Sequence, residues 1–253
     1  MHSRTLLITG ASRGIGAATA LQAAHAGWDL ALNCARDTAA AETVAAAVRA
    51  AGRRAVVLRA DVADEAAVLA MWQQLDETVA AWGSLLGGLV NNAGVVDVAQ
   101  RVDEMSAARL QRMFAVNVLG TMLCAREAVR RLSTRHGGPG GAIVNLSSVA
   151  ARLGSPGQYV DYAAAKAAVD TFTQGLALEV AAEGVRVNAV RPGIIDTDIH
   201  ASGGQPDRAW RLAPLVPMQR PGRADEVAAA IVWLLSDAAS YTTGAVLDVS
   251  GGR

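Results

Sequence analysis

The chain has 253 residues, with 23 Lys plus Arg against 23 Asp plus Glu and a formal net charge of +0. That balance leaves no electrostatic footprint for nucleic acid or an anionic membrane. No uncharged apolar run reaches spanning length, Cys34 and Cys124 form no C-x-x-C pair, and His2, His25, His136 and His200 follow no ligand pattern, so neither a membrane span, a disulfide framework nor a metal site is expected.

A hydrophobic share of 52% with only 4% aromatics calls for one large core of Ala, Val and Leu. The length suits a single α/β domain over residues 1–253. Only Met1-His2-Ser3-Arg4 precede the first strand-like run, so a cytoplasmic protein without a signal peptide is expected.

The first element is the short β-branched run Thr5-Leu6-Leu7-Ile8-Thr9, followed at once by Gly10-Ala11-Ser12-Arg13-Gly14-Ile15-Gly16 and a helical stretch over 14–26. Strand, glycine-rich turn and helix form the arrangement in which N–H groups at a helix N-terminus cradle a pyrophosphate. The glycine spacing is G-x-x-x-G-x-G rather than G-x-G-x-x-G. Gly10 suits the tight turn, Gly14 the close approach of a phosphate, and Gly16 the packing of helix on strand.

Further strands are expected at residues 30–33, 55–60, 86–90, 142–147, 185–190 and 245–249, and helices at 38–51, 65–82, 107–135, 159–182 and 224–236. Short strands alternating with long helices imply parallel pairing with right-handed crossovers. The fold class is therefore α/β: a doubly wound, Rossmann-type, seven-stranded and mostly parallel sheet with helices on both faces. Ligands belong at the carboxyl edge of its strands.

Several residues stand out along that edge. Asp61 closes the third strand, with Asp64 the better cap for the next helix. Asn117 lies in the apolar helical run Phe114-Ala115-Val116-Asn117-Val118-Leu119-Gly120, where a buried amide must find partners. Ser147 and Ser148 end the fifth strand, and neighbouring strand residues face opposite ways, so one of them faces the site. Tyr162 and Lys166 stand four apart on a helix, one turn apart on one face. A fixed ammonium near a phenol favours the phenolate and draws its pKa down from about 10. Tyr159, seven residues from Lys166, meets it poorly.

Four of the seven prolines, Pro206, Pro214, Pro217 and Pro221, fall between Asp198 and Gly222, which rules out one continuous helix and reads as a binding loop or lid at about 198–222. Trp210, Leu212, Leu215, Val216 and Met218 make that lid apolar, with Val95, Val96 and Val149 as further wall.

Together these motifs resemble the short-chain dehydrogenase/reductase family over nearly the whole chain. Thr9-Gly10-Ala11-Ser12-Arg13-Gly14-Ile15-Gly16 is similar to its cofactor motif, Asn91-Asn92-Ala93-Gly94 to its structural motif after the fourth strand, and Pro192-Gly193-Ile194-Ile195-Asp196-Thr197 to its nicotinamide-side loop. The resemblance implies an NAD(P)-dependent oxidoreductase that moves a hydride between nicotinamide and a secondary alcohol or ketone. The alternative is a non-catalytic nucleotide-binding regulatory or scaffold protein of the same fold.

By that resemblance Tyr162 is the acid/base and Ser148 orients the substrate oxygen. Lys166 holds the nicotinamide ribose, and Asn117 holds a water that relays protons to Lys166. Ser148 stands fourteen steps before Tyr162 and Ser147 fifteen, against the family's usual thirteen, so Ser148 is preferred. Asp61 and Val62 would meet the adenine, Asn91, Ala93 and Gly94 the adenosine half, and Pro192, Gly193, Ile195 and Thr197 the carboxamide side. A substrate lid and a homotetramer are likewise implied.

NADP(H) is expected over NAD(H), which stays possible. The second strand ends at Cys34, with no carboxylate to repel a 2′-phosphate, while Arg13 and Arg36 could reach one. Asp37 stands where it could cap the following helix. The substrate class beyond a small carbonyl or alcohol is not legible.

Overall fold

The computed structural model describes residues 3–253, and His2 lies outside them. Seven strands form one sheet: β1 (Arg4–Ile8), β2 (Asp29–Cys34), β3 (Ala55–Arg59), β4 (Leu85–Asn91), β5 (Gly141–Leu146), β6 (Val185–Pro192) and β7 (Val246–Val249). Their order is β3-β2-β1-β4-β5-β6-β7, and every pairing is parallel. The order reverses between β1 and β4, which is where an open parallel sheet opens a crevice for a ligand.

The connecting helices are α1 (Gly14–His25), α2 (Thr38–Ala50), α3 (Glu65–Ala81), α4 (Ala107–Phe114), α5 (Gly120–Leu132), α6 (Ala150–Leu153), α7 (Val160–Val180), α8 (Ile199–Ser202), α9 (Arg208–Arg211) and α10 (Ala224–Leu235). They bury the sheet from both sides. Ala20, Ala23 and Ala24 of α1, Ala45 and Val48 of α2, and Ile231 and Leu234 of α10 share one core. Met71, Trp72 and Leu75 of α3, Cys124 and Leu132 of α5, and Ala177 and Val180 of α7 fill the other. A sheet covered on both faces explains why β1 beyond Arg4 and all of β2 are buried continuously instead of alternately.

One element differs in detail. The helix expected over 107–135 runs without a gap from Ala107 to Leu132, but a π-helical segment, Ala115–Leu119, lies between α4 and α5 with Asn117 at its centre. Such a bulge accommodates an extra residue in the turn and is often found at functional sites. The strand expected at 142–147 also ends one residue early, so Ser147 and Ser148 lie just beyond β5. Residues 198–222 contain only α8, α9 and a single 3₁₀ turn, in keeping with their prolines.

Candidate active site

The carboxyl ends of β1, β4, β5 and β6 surround a cavity of about 1060 Å³, its open mouth included. The β1 end is pinned first. The Thr9 hydroxyl accepts from the Asn92 and Ala93 N–H groups, each at 3.0 Å, while Asn92 Nδ2 donates to the carbonyls of Thr9 at 2.9 Å and Gly10 at 2.8 Å. This clamp joins the glycine loop to the segment after β4. It leaves no room for side chains: a Cβ on Gly16 would stand 2.5 Å from both the Gly10 carbonyl and Asn92 Nδ2, and one on Gly10 would stand 2.9 Å from Ala93 Cα. Gly10 and Gly14 also hold left-handed φ values of 62° and 57°, which favour glycine.

The start of α1 differs from its neighbours. The Asp37 side chain caps α2 by accepting from Ala40, and Asp64 caps α3 by accepting from Ala66 and Ala67. No side chain caps α1, and its first turn contains no acidic residue. Its N–H groups and dipole are therefore directed at the crevice, where an anion would satisfy them. The pyrophosphate of a nicotinamide dinucleotide fits this cradle.

On the other side of the crevice Tyr162, Lys166 and Ser148 converge. Lys166 is buried, donates from Nζ to the Leu146 carbonyl at 2.6 Å, and lies 5.7 Å from the centre of the Tyr162 ring. It is also the only lysine in the sequence. Burial pulls its pKa down to about 8, against the opposing pull of Asp170. Burial pushes the Tyr162 phenol up to about 12, and a hydrogen bond with Ser148 pulls it the other way. The expectation that Lys166 would depress the phenol is therefore corrected. The ammonium donates to the Leu146 carbonyl, and at the phenol burial is opposed by Ser148 alone.

The two serines separate cleanly. Ser147 is buried and donates to the Lys166 carbonyl at 3.1 Å, whereas Ser148 meets Tyr162 and accepts from the Ala150 N–H at 3.1 Å. Tyr159 also lines the cavity, but its hydroxyl accepts from Gln205 at 2.8 Å, on the 198–222 segment.

Asn117 is fully buried, and its amide is spent on protein. Nδ2 donates to the Val95 and Met113 carbonyls at 3.0 Å each, and Oδ1 accepts from the Val95 N–H at 3.2 Å. The same amide fastens the Gly94–Val95 loop, and a Cβ on Gly94 would stand 2.8 Å from Oδ1. Asn91 also points inward: its Nδ2 donates to Asn145 at 2.9 Å and to the Thr121 carbonyl at 3.2 Å.

The cavity brings together Ile15, Gly94, Ser148, Tyr162 and Lys166. The loop after β6 adds Pro192, Gly193, Ile195 and Thr197. Arg36 and Asp61 are exposed beyond the ends of β2 and β3, and Asp61 accepts from the Ala63 N–H at 3.0 Å within its own turn. Arg13 donates to Ser202 of α8 at 3.1 Å, so no contact joins it to Arg36. Cys34 is buried, and burial raises its thiol pKa.

Sequence reasoning missed three kinds of residue. His200, read as an ordinary surface or packing residue, lines the cavity and its Nε2 lies 2.8 Å from the Ile195 carbonyl. Arg208 and Arg253 line it too. Arg109 pairs with buried Asp161 at 2.8 Å and also donates to the Val98 carbonyl, fixing the start of α7 next to Tyr162. The apolar lid is a correction as well. Trp210, Leu215 and Met218 face solvent, while Val216 and Leu212 turn onto Ile194 and Ala209 in a small core of their own. The segment presents Ile199, His200, Gly203 and Arg208 to the cavity instead.

A family model described as enoyl-(acyl carrier protein) reductase matches residues 10–253. The chain belongs to the short-chain dehydrogenase/reductase family. It is 53% identical to the uncharacterized oxidoreductase YgfF of Escherichia coli, covering 98% of each chain. It is 41% identical to the cis-4-hydroxycyclohexanecarboxylate dehydrogenase of Sinomonas cyclohexanicum, over 98% of this chain and 96% of that one. A short-chain dehydrogenase from Burkholderia cenocepacia, solved in complex with NADP, superposes with a TM-score of 0.86 at 33% identity, over 99% of this chain and 97% of that one. This chain is accordingly an NAD(P)-dependent oxidoreductase, and the non-catalytic alternative finds no support among these relatives. No helix among the described residues is long and apolar enough to cross a membrane.

Proposed function

We propose that the chain, as one domain over residues 1–253, is an NADP(H)-preferring dehydrogenase/reductase of secondary alcohols and ketones, cytoplasmic and homotetrameric. One observation carries the reading: Ser148 and the Lys166 ammonium converge on Tyr162 beside an uncapped helix N-terminus. When bound, the cofactor supplies or accepts a hydride at the nicotinamide.

The chain's own residues do the rest. Gly10, Ser12, Gly14, Ile15 and Gly16 receive the pyrophosphate. Asp61, Val62, Asn91, Ala93 and Gly94 border the adenosine half, and Pro192, Gly193, Ile195 and Thr197 the carboxamide. In reduction Tyr162 releases its phenolic proton to the substrate oxygen while Ser148 donates a hydrogen bond to that oxygen as charge grows on it. Lys166 bonds the nicotinamide ribose and resupplies the proton to Tyr162. Asn117 fastens Val95 and holds a water that relays protons to Lys166. Residues 198–222 cover the substrate, and Arg13 and Arg36 supply the charge for a 2′-phosphate. The Sinomonas relative acts on a hydroxyl on a ring, which agrees with a secondary alcohol.

Tyr162→Phe tests the assignment. Turnover should fall roughly 10²–10⁴-fold, the span for loss of a general acid, with cofactor binding retained. Rates like those of the unaltered protein would remove Tyr162 from the role. The same assay run with each cofactor, and with Arg13 and Arg36 both changed to Ala, checks the NADP(H) preference.

A further inference from the structure

We infer that the substrate of this site carries a carboxylate, held between Arg208 and Arg253 at the end of the cavity beyond Tyr162. The inference rests on the oxidoreductase reading and adds the class of molecule that enters.

Among its side chains the cavity is charged in one sense only. Lys166, Arg208 and Arg253 line it, and no Asp or Glu among the described residues does. An arginine in a protein wall normally meets an acid, and most arginines of this chain do. Arg208 and Arg253 meet none within ion-pair distance. Arg208 lies 5.1 Å over the Tyr159 ring and donates from Nη1 to Gln158 at 2.8 Å. Both contacts orient its guanidinium without neutralising it. Arg253 Nη1 is buried with no hydrogen-bond partner. Burial first, and then the like charges of Arg211 and Arg253, lower the Arg208 pKa against the pull of Tyr159.

Leaving a buried guanidinium N–H unsatisfied is costly, and a planar anion relieves both the missing bond and the repulsion. The placement argues against the cofactor as that anion. Arg208 is fastened to Gln158 and Tyr159, and the Arg253 carbonyl accepts from Arg152 of α6 at 3.2 Å. These anchors lie in α6 and the α6–α7 connection, whereas the pyrophosphate cradle is at the start of α1. A carboxylate between the arginines leaves the rest of the substrate in a cavity that Ser148, Val149, Leu153 and Tyr162 also line.

Equilibrium binding to the protein saturated with NADPH tests this, using levulinate and cyclohexanecarboxylate, each against its neutral amide. At least one acid should bind tenfold or more tightly than its amide. In the Arg208→Gln/Arg253→Gln double variant that margin should fall below about twofold, with melting unchanged enough to show the fold intact. Equal affinity of acid and amide, binding of neither, or a margin that survives the double variant would overturn the inference. A weakened grip on NADPH with an unchanged margin would assign the pair to the cofactor and overturn it too. Tyr162→Phe is the separating control. It should abolish NADPH oxidation with levulinate while keeping the acid-over-amide margin, so the redox reading and the carboxylate reading fail on different readouts.

Discussion

The two walls of the cavity are built on different terms. On the wall made by the strand ends and α7, the polar atoms are committed to the protein over long sequence distances: Thr9 to Asn92 and Ala93, Asn117 to Val95, Lys166 to Leu146, and Arg109 to Asp161. On the wall made by residues 198–222, the helices have four residues each, and the ties of Ser202 to Arg13, Gln205 to Tyr159 and Arg208 to Gln158 are exposed or part-buried. The first wall fixes the geometry of the reacting groups. The second lines the cavity with short helices, and such a wall can be altered without disturbing the sheet.

Substitutions can break or sharpen that contrast. The largest effect is expected at Arg109, whose removal strands the buried carboxylate of Asp161. Arg109→Ala should cost about 3–5 kcal/mol in denaturant unfolding. A loss under 1 kcal/mol would mean that the α7 wall is no firmer than the lid.

Lys166→Met comes next and gives a pH signature. Burial holds Lys166 at about 8 against an ordinary 10.5. Below about pH 8 folded and unfolded chains both carry the proton, and the fold bears the whole cost of a buried ammonium. Between about 8 and 10.5 the folded chain sheds it first, so the unfolded state binds more protons and stability rises with pH. Lys166→Met should flatten that rise and add up to about 3 kcal/mol at pH 7, at 1.36 kcal/mol per pKa unit, as urea melts across that pH range would show. An unflattened slope would place the charge outside the buried wall.

The smallest effect belongs to the lid. Trp210→Ala removes a side chain 64% exposed, bonded only to exposed Asp196 at 3.1 Å. It should stay within about 0.5 kcal/mol of the parent protein in thermal unfolding.

The same contrast explains what was legible in the sequence. The strand ends could be read because their constraints are local: glycines where a Cβ has no space, an aspartate one residue before each of α2 and α3, and a tyrosine and lysine one helical turn apart. The π-helical break at Asn117 could not. One extra residue in a turn leaves an apolar helix looking continuous, and only the bonds to Val95 reveal it. The separation of Ser147 from Ser148 needed the position of the Lys166 carbonyl. His200, Arg208 and Arg253 were illegible because each reaches the cavity by long-range docking, with no neighbouring pattern to mark it. For the same reason the apolar residues of the lid were assigned to the wrong side. Hydrophobicity says that Val216 is buried but not that Ile194 and Ala209 are what bury it. One signal was there to be read: a chain that uses arginine for every other side-chain cation keeps a single lysine, at a position where the planar fork of an arginine is no substitute for a compact ammonium.

That solitary lysine makes the protein its own spectroscopic probe. A sample grown on lysine isotopically labelled at the side-chain nitrogen holds one labelled ammonium, and its side chain lines the cavity. A single resonance, needing no assignment by mutagenesis, would follow its protonation, the arrival of cofactor and the entry of substrate in one titration each.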